Sequence, residues 1–223
     1  LDICKVDYGF DDKSDTKAID VQIVDDYFKF SLQHKDILVS DIKMQIPGRH
    51  YIENALAASR VALECGLNEE EIKYGLETFS GVERRFDYRI KNTKTVYIDD
   101  YAHHPTEIFS TIDAVRELYP KRKLTVIFQP HLYSRTRDFV DDFAKSLNGA
   151  DDIILLDIYP ARELPMEGVS SSIILDRIEN RNKVVLSKEE AIKYIETTKP
   201  ELLLSLGAGD IGLMVKELEL ALR

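Results

Sequence analysis

The sequence predicts an α/β protein whose larger, later part is a doubly wound, mostly parallel sheet, preceded by a partial α/β segment. Three observations lead there. From about residue 95 onward, short apolar runs alternate with amphipathic stretches. Those runs are apolar at nearly every position, as strands covered on both faces are. The first eighty residues instead alternate polar and apolar positions and then turn helical.

In chain order, residues 18–30 alternate through Ile19, Val21 and Ile23 and then Tyr27-Phe28-Lys29-Phe30, with Asp25-Asp26 as a hairpin turn. Residues 37–46 continue the strand pattern, and Pro47-Gly48-Arg49-His50 breaks it. A helix is predicted over 52–65, with Ala55, Leu56, Ala58, Ala62 and Leu63 as a small-residue face and Gly66 as its stop. Asn68-Glu69-Glu70-Glu71 opens a short helix that ends near Phe79-Ser80-Gly81. The pattern changes between Gly81 and Phe86, which marks the domain boundary. Strands then follow at Thr95-Val96-Tyr97-Ile98 and at 123–128, 152–158, 183–186 and 202–206. Helices separate them. One starts at Pro105, suited to a first helical position, with Ile108, Ile112 and Val115 on one face. A second covers 137–147 with Phe139, Phe143 and Leu147 at four-residue spacing. Ser187 and Glu190 form a capping-box pattern before a third, and the last covers about 211–222. Right-handed crossovers between such units give a Rossmann-like sheet.

Length and composition set outer limits. A chain of 223 residues holds one large domain or two modest ones. A net charge of −10 argues against a broad electrostatic footprint on nucleic acid or anionic lipid. Arginines at Arg84-Arg85 and Arg135-Thr136-Arg137 leave local anion recognition open. No run approaches the ~18 apolar residues that span a bilayer. Cys4 and Cys65 lack a C-x-x-C partner and read as reduced thiols, as in a cytoplasmic protein. The opening Leu1-Asp2-Ile3-Cys4-Lys5 has neither an initiator methionine nor a signal-peptide pattern, so a piece of a longer polypeptide is expected.

The densest chemistry lies in Asp99-Asp100-Tyr101-Ala102-His103-His104-Pro105-Thr106-Glu107. A strand ends and a helix begins there, where α/β sheets carry their ligands. Helix capping explains some of these residue types, since carboxylates complement the helix dipole and a histidine can cap. Paired histidines also raise zinc, but neighbours rarely chelate one ion and no H-x-x-x-H spacing occurs. Substrate or nucleotide contact is the favoured reading. The next strand end carries Gln129-Pro130-His131-Leu132-Tyr133-Ser134-Arg135, a donor-rich set suited to phosphate or carboxylate, or else a solvated polar loop. Gly207-Ala208-Gly209-Asp210-Ile211-Gly212 misplaces the third glycine of a dinucleotide fingerprint and reads as a tight turn with free amides before a helix. No G-x-x-x-x-G-K-[ST] occurs.

Taken in order, Gly48-Arg49-His50, Asn54-Ala55-Leu56-Ala57-Ala58, Gly81-Val82-Glu83-Arg84-Arg85-Phe86, residues 99–107, residues 128–136, Tyr159-Pro160-Ala161-Arg162-Glu163 and residues 207–212 resemble the Mur ligases. These are ATP-dependent amide-forming enzymes of peptidoglycan synthesis. The Gln129-Pro130-His131 block resembles the branch that joins L-alanine to UDP-N-acetylmuramate more than it resembles the murein tripeptide ligase. The resemblance implies that residues 1–83 are the C-terminal part of a central ATPase domain and 84–223 a C-terminal domain, with the UDP-sugar domain and P-loop upstream. It also implies a cytoplasmic enzyme. Its reaction would start with attack of a carboxylate on the γ-phosphate of ATP, giving an acyl phosphate. The amine of L-alanine would then displace phosphate, with arginines and Mg2+ stabilising the charge.

The resemblance further implies that Asn54 contacts adenine. Arg85 and Asp100 would reach the ATP phosphates and ribose, with Tyr101 beside the nucleotide. His103, His104, His131 and Arg135 would face the muramoyl carboxylate and the incoming alanine. His103 is the expected acceptor of the amine proton, so His103, Asp100 and Arg85 form the expected catalytic set. The magnesium ligands are expected upstream, and without a P-loop this chain alone is expected to turn over nothing. Two departures stand out: Tyr51 where the family commonly has asparagine, and Leu132 where arginine is frequent. The competing readings are a stand-alone nucleotide- or UDP-sugar-binding module without catalysis, and a metal-dependent hydrolase resting on the histidines alone.

Overall fold

A computed structural model describes residues 6–223, so Cys4 lies outside the described residues. The chain divides into two units between Gly81 and Val82.

In the first unit, strands β1 (Tyr8–Gly9), β2 (Thr16–Val24), β3 (Tyr27–His34) and β4 (Ile37–Met44) form one sheet in that order. β2, β3 and β4 pair antiparallel, and β1 runs parallel to β2. Asp25 and Asp26, at φ 53° and 61°, form the predicted hairpin, because a two-residue turn that matches strand twist needs positive φ at both positions. Helix α1 (Arg49–Glu64) buries Ile52, Ala55, Leu56 and Ser59, one stripe at helical spacing. Ala58, predicted on the buried face, is exposed, because it falls outside that stripe. Helix α2 (Glu69–Thr78) opens on a complete capping box between Asn68 and Glu71.

The second unit contains β5 (Asp87–Lys91), β6 (Val96–Asp100), α3 (Pro105–Leu118), β7 (Leu124–Phe128), α4 (Tyr133–Asp138), α5 (Val140–Leu147) and β8 (Asp152–Leu155). It continues with α6 (Ser171–Leu175), β9 (Lys183–Val185), α7 (Lys188–Thr198), β10 (Leu202–Leu206) and α8 (Val215–Leu222). Its sheet runs β5-β6-β10-β7-β8-β9, with every pair parallel except the antiparallel edge β5–β6. β6, β7 and β10 are buried at every position, as apolar runs covered by helices on both faces should be. The doubly wound, mostly parallel sheet is therefore present.

Several boundaries differ from expectation. The helix predicted over 137–147 is two helices, beginning at Tyr133 and broken at Phe139 (φ −120°, ψ 24°). Phe143 and Leu147 enter the core while Phe139 packs on the His104 ring, 5.1 Å between centroids. The strand predicted over 152–158 stops at Leu155, where its neighbour β9 runs out at Val185. A 3-10 turn (Asp210–Met214) occupies the start of the predicted last helix. β5 and α6, five residues each, are too short to register as periodic patterns.

Candidate active site

Strand order places three loops side by side. β10 lies between β6 and β7, so the 207–212 turn emerges between the 101–107 and 129–137 loops, all at the carboxyl edge.

The two adjacent aspartates that end β6 are both buried, at 0% and 3% exposure for Asp99 and Asp100, and do different work. Asp99 accepts from Arg84 Nε at 2.8 Å and from the Ser205 hydroxyl at 2.6 Å, and Ser205 in turn meets the Tyr97 hydroxyl at 3.0 Å. Arg84 Nη2 donates to the Gly207 carbonyl at 2.7 Å, so one guanidinium ties β6 to the turn after β10. Gly212 completes this packing: a Cβ there would lie 2.7 Å from Arg84 Nη1. Asp100 accepts the amides of Phe86 and Ala102, each at 2.7 Å. Burial pushes its carboxyl up to about 6, against those two amides and the Arg85 guanidinium. The carboxylate expected to reach nucleotide is thus enclosed and ties the backbone after Tyr101 to the segment that enters β5.

Arg85 has the opposite situation from its neighbour. Its side chain is 44% exposed, stands 4.0 Å from Glu107 Oε1, and shares the Tyr101 ring with Arg84, the guanidinium carbons 5.6 and 5.3 Å from the ring centre. Tyr101 is itself exposed.

Glu107 organises the histidines. Its Oε2 accepts the amides of His103 (3.0 Å) and His104 (3.1 Å) at the head of α3. Burial raises its carboxyl, but these amides together with the His103 and Arg85 charges outweigh that and hold it below its ordinary value. The two rings differ in their hydrogen bonds. His103 Nδ1 lies 3.0 Å from the Tyr101 carbonyl, which can only accept, so Nδ1 carries the hydrogen and Nε2 presents the lone pair. His104 Nδ1 accepts the Thr106 amide at 3.3 Å, so its lone pair at Nδ1 is spent on capping.

Across the edge, the His131 ring lies 5.9 Å from that of His103 and stacks on Tyr159 at 5.6 Å. Burial, then Arg135 and His103, hold the His131 imidazole below its usual pKa. His131 Nδ1 and Arg135 Nη1 are buried without a hydrogen-bond partner. Leu132, at φ 73° and ψ 135°, makes the turn between them, a conformation that favours glycine. Glu163 accepts the Ser134 amide at 2.9 Å and the Ser134 hydroxyl. Gln129 is locked by Asp210 Oδ1 (2.7 Å) and the Ile211 amide (2.9 Å). Beside it, a cleft of about 240 Å³ lies between Tyr159, Asp157 and the Lys188–Asp210 ion pair.

The structure therefore gathers Arg85, Tyr101, His103 and His131 along one edge, with Arg135 one helical turn beyond His131. His104 turns aside to Phe139. Asn54 belongs to the first unit, exposed on α1. Arg84, Asp99, Glu163 and Asp210 lie inside motifs read from the sequence, but no individual role could be assigned to them there because their partners lie far along the chain. Among the described residues no three His, Cys, Asp or Glu side chains form a metal-holding group, and no helix is long and apolar enough to cross a membrane.

A parallel sheet bearing cationic and imidazole groups on its carboxyl-edge loops defines the class: a doubly wound α/β domain. The profile of the Mur ligase, glutamate ligase domain matches residues 84–209, and the chain belongs to the Mur ligase family. It is 46% identical over 214 residues to a UDP-N-acetylmuramate–L-alanine ligase of Christiangramia forsetii, covering 96% of this chain and 47% of that relative. A UDP-N-acetylmuramate–alanine ligase from Thermotoga maritima superposes with a TM-score of 0.79 at 26% identity, over 96% of this chain and 46% of the other. A murein peptide ligase from Psychrobacter arcticus gives 0.64 at 25%, over 96% and 45%. The chain thus spans about half the length of the relatives it matches.

Proposed function

We propose that this chain is part of an ATP-dependent ligase that joins L-alanine to UDP-N-acetylmuramate through an acyl phosphate in cytoplasmic peptidoglycan synthesis. The observation that carries this reading is the 46% identity to an L-alanine ligase across 96% of the chain. In it, residues 1–83 belong to a central ATPase domain and 84–223 form the C-terminal domain. The P-loop and the UDP-sugar domain lie in the remaining half of the polypeptide.

The donor set fits anionic partners. Arg85 is an exposed cation beside an exposed aromatic ring, suited to a nucleotide's phosphates and flat base or ribose. Arg135 and His131 keep unpartnered polar atoms that match carboxylate oxygens. ATP supplies the phosphoryl group that activates the muramoyl carboxylate. Among the described residues no group of three His, Cys, Asp or Glu side chains is placed to hold magnesium. Within this reading Arg85 and Tyr101 hold nucleotide, and Asn54 contacts adenine. Asp100 serves by fixing the backbone around Tyr101, since its oxygens are enclosed. Arg135 and His131 hold carboxylate, and His103 Nε2 accepts the proton released when the alanine amine attacks.

The test is activity of the full-length polypeptide with UDP-N-acetylmuramate, ATP and a panel of amino acids, read as phosphate release and product mass. L-alanine should give the highest kcat/KM, and the 223-residue chain alone should give no product. Ligation by the isolated chain, or turnover only with a tripeptide, would overturn the reading.

A further inference from the structure

Within the turn that presents His131 and Arg135, the buried Thr136 hydroxyl donates to the Leu132 carbonyl at 2.8 Å. Helix α4 has no side-chain cap of its own, and the residue before it, Leu132, sits at positive φ. The remaining hold on this turn comes from the loop after β8. Tyr159 and the turn exchange backbone hydrogen bonds, Leu132 N to the Tyr159 carbonyl at 3.0 Å and Tyr159 N to the Pro130 carbonyl at 2.8 Å. Four residues on, Glu163 accepts both the Ser134 amide and the Ser134 hydroxyl, taking the place of the missing cap. The Glu163 amide is anchored to the Pro160 carbonyl at 2.9 Å, which makes the loop a compact turn of its own.

We propose that Glu163 is a positioning residue, a cap supplied from a neighbouring loop that fixes the Leu132 turn and so sets where His131 and Arg135 meet the substrate carboxylates. This rests on the ligase reading for the identity of those carboxylates, but the latch itself does not. Glu163 also lies close enough to raise the His131 imidazole, opposing burial and Arg135. The Tyr159 and Thr136 bonds keep the Leu132 turn itself, so what Glu163 adds is the seat of the first turn of α4, and with it the distance between His131 and Arg135.

The experiment has two arms. In the full-length ligase, Glu163→Ala should raise the KM for L-alanine or UDP-N-acetylmuramate about tenfold while the KM for ATP stays within about twofold, because misplacement affects the carboxylate contacts alone. Glu163→Gln, which keeps one acceptor oxygen, should fall between wild type and Glu163→Ala. The control Glu167→Gln, on the same loop, should match wild type. Equal rises in all KM values, or none, would overturn the proposal. In the 223-residue chain, NMR should show faster exchange of the Ser134 amide and shifted His131 ring signals in Glu163→Ala. Unchanged signals would overturn the latch whether or not the parent is a ligase. If Glu163→Ala does not fold, Ser134→Ala removes the hydroxyl arm of the same contact. It should shift the His131 signals in the same direction, and their failure to move would again overturn the proposal.

Discussion

At the scale of single residues, neighbours of identical type have different surroundings. His103 and His104 both stand at the head of α3, yet only His103 presents Nε2 as an acceptor, because its Nδ1 hydrogen is committed to a carbonyl. In the full-length enzyme His103→Ala should lower kcat at saturating alanine by roughly 10²-fold or more, as loss of a general base does. His104→Ala should change kcat little and lower the melting temperature. Steady-state kinetics on both variants checks the assignment, and a near-normal kcat for His103→Ala would sink it. Asp100 gives a second prediction. Its folded carboxyl titrates near 6 against 3.8 for the ordinary group, so the folded state binds more protons between these values. Its contribution is fully present below pH 3.8 and is lost as pH rises through about 6, a swing of at most about 3 kcal/mol. Denaturant titrations of wild type and Asp100→Asn from pH 4.5 to 7.5 should show the wild type losing ground relative to the variant as pH rises. At pH 7 the variant still leaves one amide without an acceptor, at about 1–3 kcal/mol.

At the scale of elements, most helix ends announced themselves. Ser187 with Glu190, Asn68 with Glu71, and Pro105 are local signals, and each opens a helix as expected. The cap on α3 carries more than the helix. Glu107 completes a box with His104 and also accepts the His103 amide, so one carboxylate positions both histidines. Glu107→Ala should cost about 1–2 kcal/mol and broaden the ring signals of both histidines in NMR spectra. Its pH dependence has the sign opposite to that of Asp100. A carboxyl held below its ordinary value contributes above the ordinary carboxylate pKa and loses that contribution as pH falls through the folded value. The split of the predicted 137–147 helix was not legible. Four-residue spacing of apolar side chains is the same for one helix or two, and the break at Phe139 comes from packing against His104 on another element.

At the scale of the whole molecule, the chain holds two units with separate sheets, so each has its own hydrogen-bonded ladder. Residues 82–223 expressed alone should fold, giving a cooperative melt and retaining the His131 and His103 ring signals of the longer chain. Loss of near-UV dichroism and of those signals in the shorter piece would contradict this. In a chain with a net charge of −10, the carboxyl edge of the second unit mixes both signs, with Arg84 paired to Asp99 and Arg85 facing Glu107.

The sequence by itself determined the class of fold, the alternation of β and α units, the Asp25-Asp26 hairpin and the two loops on which the candidate site rests. These follow from periodicity, turn chemistry and residue type, which are properties of neighbours along the chain. Tertiary structure decided what each residue in those loops does. It inserted β10 between β6 and β7, made Arg84 a half-buried tie and Arg85 an exposed cation, and enclosed both aspartates. The contacts responsible join residues far apart in sequence: Arg84 to Gly207 spans 123 positions and Ser205 to Asp99 spans 106. Burial and hydrogen-bond partners are set by which strands lie side by side, and no local pattern records that order.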